Sequence, residues 1–133
     1  MNFKASVLAA IAVTAVAAPA LAHHSFAMFD SDKTSTLDGT VKEFEWTNPH
    51  SWIHVLVADA SGKQLEWSIE MGSPAQIAQR GFKADIVRPG DKVSVTIHPL
   101  KDGSRGGEFL SVKLPSGQTL LGPYRPGAAA GSQ

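Results

Sequence analysis

Residues 51–81, SWIHVLVADASGKQLEWSIEMGSPAQIAQRG, read as two strands, a hairpin turn and a short helix in direct succession. From Gln64 to Met71 the side chains alternate strictly, with Leu65, Trp67, Ile69 and Met71 facing inward and Gln64, Glu66, Ser68 and Glu70 facing out. A period of two is the mark of a strand with one buried face, and the outward glutamates read as a solvated surface. Ser51 to Ala58 sets Trp52, His54 and Leu56 against Ile53, Val55 and Val57, so this strand is buried on at least one side. Asp59 to Lys63, with Gly62, makes the hairpin loop between them. Ser73 offers a capping hydroxyl just before Pro74 at the first helical position. Ala75 to Arg80 then form a short helix that stops at Gly81.

Upstream, Thr36 to Trp46 is rich in threonine, valine and aromatics, with Leu37 and Val41 on one alternation and Phe44 and Trp46 on the other. A bulge near Lys42 and Glu43 accounts for the change of phase. Thr47-Asn48-Pro49 is a turn, because proline fixes its own backbone angle and pushes Asn48 into an extended conformation. His50 therefore sits at the mouth of the next strand. Downstream, the turn Arg88-Pro89-Gly90-Asp91 precedes a strand from Lys92 to Pro99, where Val93, Val95 and Ile97 alternate with polar residues. A loop containing Asp102-Gly103 and Gly106-Gly107 leads to a last strand from Glu108 to Leu114, and a further turn begins at Pro115.

Three strands, one short helix and two strands define a mainly β chain: a small five-stranded Greek-key barrel of the oligonucleotide- and oligosaccharide-binding (OB) type, with the helix between strands three and four. A small open sandwich is the competing architecture. The barrel domain spans residues 23–121. From Gly122 to Gln133 the glycine, proline and alanine content predicts a disordered tail.

Residues 1–22 read as a cleavable signal peptide. Lys4 supplies the positive charge, Ala5 to Ala18 the apolar run, and Ala20-Leu21-Ala22 the small-residue cleavage site. The run is shorter than the ~20 residues of a spanning helix and is broken by Pro19; an uncleaved N-terminal anchor is the rival reading. Cleavage before His23 leaves about 110 residues, enough for one domain. The expected address is the periplasm, with secretion beyond the cell as the alternative. Removing Lys4 leaves one basic side chain fewer than the twelve acidic ones, which is not the footprint of a nucleic-acid binder. The sequence has no cysteine, which excludes disulfides, thiolate metal sites and cysteine nucleophiles.

Four segments resemble a family of small exported bacterial proteins catalogued as a domain of unknown function. They are His23-His24-Ser25-Phe26 with Phe29-Asp30, Glu45-Trp46-Thr47-Asn48-Pro49-His50, Glu70-Met71-Gly72-Ser73-Pro74, and Arg88-Pro89-Gly90-Asp91. The resemblance implies export and a barrel-like domain, and it brings no catalytic residues.

With His23 as the first mature residue, its α-amine and ring Nδ1 can chelate one metal ion, and one more imidazole completes a histidine-brace-like site. Such a nitrogen set favours copper, with zinc as the alternative. His24, His50, His54 and His98 are the candidates for the added imidazole. The expected metal set is His23, His24 and His50, since His50 is held beside a rigid turn. His50 and His54 lie roughly 13 Å apart along an extended strand and do not share an ion. Met28 and Met71 read as packing residues ahead of thioether ligands. The non-metal alternative is an interaction module in which Trp46, Trp52 and Asn48 form an aromatic rim for a small ligand or a periplasmic partner protein. No nucleophile elbow or phosphate loop is present, and the sequence makes no positive case for an enzyme.

Overall fold

The computed structural model describes residues 26–124. The leader expected over residues 1–22, together with His23, His24 and residues 125–133, lies outside that range. A single 3₁₀ turn, Phe26–Met28, precedes β1 (Ser35–Glu45), β2 (Trp52–Ala58), β3 (Gln64–Glu70), α1 (Pro74–Ala78), β4 (Lys92–Pro99), β5 (Gly106–Lys113) and β6 (Thr119–Leu121). No helix among the described residues is long and apolar enough to cross a membrane.

The strands run in the order β3-β2-β1-β4-β5-β6, and a parallel ladder between β3 and β5 closes the first five into a barrel. Closure excludes the open sandwich. β1 serves two neighbours: Ser35 to Thr40 pair with β4, and Thr40 to Glu45 pair with β2. Val41 opposes Val55 while Glu43 opposes His54, so Lys42 is the extra residue of the expected bulge. That one insertion turns Phe44 toward the core, against which Phe44 and Trp46 both pack.

The hairpin strands behave as their alternation requires. Ile53, Val55, Ile69 and Met71 are buried with Val41, Val93, Val95, Ile97, Phe109 and Val112 in one core. At α1 the Ser73 hydroxyl accepts from Gln76 N–H and the Gln76 side chain answers to Ser73 N–H, a complete capping box. Ile77 and Phe82 carry this segment onto the barrel core.

Three features differ from expectation. Gly106 and Gly107 are strand residues of β5, where a loop was expected. A Cβ on Gly107 would lie 2.5 Å from the His98 carbonyl oxygen, so glycine here is what lets β5 fit between β4 and β3. β6 is a sixth strand, pairing Leu120 with Val112. The expected tail begins at Gly122, yet Gly122 N–H donates to Leu110 O at 2.8 Å and Pro123 packs against Gly72, so the first residues of that stretch are held on the barrel. Leu110 is skipped in the β4–β5 register, where Thr96 faces Ser111 and Ile97 faces Phe109. The carbonyl of this bulged residue is the one that receives the C-terminal segment.

Candidate functional site

His50 stands between the exposed turn at Asn48-Pro49, whose peptide bond is cis, and the first residue of β2. Two backbone bonds hold this corner: Ser51 N–H to Gly72 O and Met71 N–H to Ser51 O. They place the His50 ring over the end of β3, where Nδ1 lies 3.1 Å from Met71 O. A carbonyl only accepts, so Nδ1 carries the hydrogen, and in the neutral ring the lone pair is on Nε2. The Glu70 carboxylate lies 3.5 Å from the same Nδ1. Such a carbonyl and carboxylate behind a ring is how proteins orient a metal-ligating imidazole.

The other two described histidines differ. His54 is committed at both nitrogens, Nδ1 with the Ser68 hydroxyl at 2.9 Å and Nε2 with the Glu45 carboxylate at 2.9 Å. It acts as a strut across β1, β2 and β3, with the Trp52 ring stacked on it at a centroid distance of 6.4 Å. His98 is 1% exposed, and its Nδ1 donates to Lys33 O at 2.8 Å. That bond ties the segment ahead of β1 to β4.

Glu70 corrects the sequence reading. Its phase is outward as expected, but it is 7% exposed, whereas Glu66 is only half-buried and pairs with Lys42. Register explains the contrast. Glu70 opposes Glu108 across the closing ladder, and Glu108 opposes His98 on β4. The row Glu70, Glu108, His98 is covered where the C-terminal segment brings Tyr124 beside both carboxylates. Burial pushes the Glu108 carboxyl above the ordinary glutamate range; His98 opposes that shift and Glu70 adds to it. Burial likewise raises the Tyr124 phenol, with Glu108 and Glu70 adding to the rise. Sequence reasoning missed this row, because its signal lies in strand pairing and not in local pattern.

Among the described residues no group of three or more histidine, aspartate or glutamate side chains is arranged to hold a metal ion. His50 is thus the described member of the expected set, while His23 and His24 lie outside the described residues. Of the expected aromatic rim, Trp46 packs edge-on against Phe44 at 6.0 Å and onto the core, Asn48 is exposed, and Trp52 leans on His54.

Strand order, closure and helix position together define a barrel of the OB type, an architecture that serves many ligands. The chain belongs to a family of unknown function (DUF6152), whose model matches residues 10–109. No curated protein matches. Among solved structures, the chain is similar to the mitochondrial single-stranded DNA-binding protein Rim1 of S. cerevisiae. The two are 18% identical over 62% of this chain and 93% of that one, with a TM-score of 0.45.

Proposed function

We propose that this chain is an exported, periplasmic binding protein whose ligand is a copper ion held by His50 and the mature N-terminus. His23 would bind through its amine and ring, with His24 beside it; zinc is the alternative metal, and nucleic acid is not a ligand. The observation that carries the reading is the His50 ring. Its Nδ1 is committed to Met71 O and backed by Glu70, which leaves Nε2 as a preorganised nitrogen donor.

The test is calorimetric titration of Cu(II) into protein exported and processed in its own compartment. Two variants accompany it: His50→Ala, and an insertion of one alanine between Ala22 and His23, with cleavage still after Ala22. The insertion keeps every side chain and destroys the amine–imidazole chelate. Each variant is expected to weaken binding by at least about tenfold. Affinity unchanged in both overturns the reading and leaves the Trp52 surface as the candidate for a non-metal ligand.

A further inference from the structure

The covered carboxylates on β3 and β5 are not used by the reading above, yet they are the most unusual electrostatic feature of the barrel. Glu70 and Glu108 are opposed on adjacent strands, 7% and 8% exposed. Two like charges one strand spacing apart, about 4.8 Å, do not both ionise cheaply when water is kept out. The cover is the segment after β6. Gly122 is pinned by its bond to Leu110 O and has no room for a side chain, since a Cβ would lie 2.8 Å from the Phe109 ring. Pro123 rests on Gly72, whose carbonyl holds the His50 corner through Ser51 N–H. Tyr124 then lies half-buried beside both carboxylates.

We propose that Gly122–Tyr124 is an acid-closed latch over the Glu70–Glu108 row, and that it opens as Glu108 loses its proton. The groups facing Glu108 are Glu70 from β3, His98 from β4 and Tyr124 from the latch itself. Among the described residues ahead of β1, Lys33 offers its carbonyl to His98, and its ammonium is turned to Asp30 at 3.0 Å. Closing the latch removes water from Glu108 and so favours its neutral form, and burial outweighs the opposing effect of His98. The closed state therefore binds a proton more tightly than the open one. Its advantage is complete below the ordinary glutamate pKa and is lost as pH rises through the raised one. The Tyr124 phenol, also raised, stays neutral throughout that window.

The latch lies against Gly72, so opening it frees the backbone that positions His50. In that consequence alone the inference rests on the metal reading. The test uses metal-free full-length protein and the amide-exchange protection factor of Gly122, whose N–H is the latch's own hydrogen bond, from about pH 4 to about pH 8. Protection in the parent is expected to fall with pH, by up to tenfold per pH unit inside the window. Glu108→Gln mimics the neutral acid and is expected to hold protection high and flat. Tyr124→Ala, which uncovers the row, is expected to be low and flat, and it decides the matter should Glu108→Gln not fold. Flat protection in the parent, or the parent's slope persisting in either variant, overturns the latch. Neither result bears on Cu(II) affinity, so the metal reading stands or fails separately.

Discussion

Gly107→Ala tests the closure of the barrel at its tightest point. The added methyl would meet His98 O at 2.5 Å, Ile97 Cδ1 at 2.7 Å and Ile97 Cβ at 3.1 Å. Ile97 can yield a little by rotating, but the carbonyl is backbone and must retreat by roughly 0.9 Å to reach ordinary contact. That retreat disturbs the β4–β5 ladder at Pro99 and Gly107, and it strains the His98 bond to Lys33 O. Overpacking of this kind costs about 1–3 kcal/mol, and each weakened hydrogen bond adds about 1 kcal/mol. A total of about 3 kcal/mol lowers the Tm of a domain this size by roughly 12–24 °C. The assay is thermal and urea unfolding followed by tryptophan fluorescence. Gly62→Ala is the control: its φ is 85° and nothing lies within 4 Å of the new carbon, so only backbone strain of about 1 kcal/mol applies. If Gly107→Ala is no more destabilised than Gly62→Ala, the glycine is not what allows β5 to close the barrel.

Two further substitutions probe the corners that hold the site. The Ser51 hydroxyl is buried without a hydrogen-bond partner, so Ser51→Ala should be neutral or should stabilise the fold by about 1 kcal/mol in urea unfolding; a loss of similar size would mean the hydroxyl is used. Ser73→Ala removes half of the α1 capping box and should cost about 1 kcal/mol, while Ser73→Gly costs only a few tenths. Unchanged stability in Ser73→Ala would show that the cap bond is not what anchors the helix.

Much of the fold was legible because it is written locally. The alternation from Gln64 to Met71, the phase change at Lys42 and the Ser73-Pro74 cap each involve residues that act within a few positions of one another. Gly106 and Gly107 misled for the same reason. Read locally, glycine breaks a strand, whereas its necessity here comes from the His98 carbonyl on another strand. β6 is only three residues long and is held by pairing with β5, so its segment carries too little pattern to announce itself. The site divides in the same way. The rigid turn before His50 was visible in Asn48-Pro49, but the carbonyl that fixes its ring belongs to Met71 and the carboxylate behind it to Glu70, twenty-one and twenty residues away. Glu70 reads as an ordinary surface glutamate because alternation reports a side chain's face and says nothing of what a later segment lays over it.

The most direct test of the proposed function is electron paramagnetic resonance of one equivalent of Cu(II) added to the exported protein, after mass spectrometry has established its first residue. The account predicts a chain beginning at His23 and an axial signal with nitrogen couplings from the terminal amine, the His23 ring and His50. His50→Ala should remove one nitrogen. A chain that begins elsewhere, or a signal that is the same in the His23→Ala protein, would contradict it.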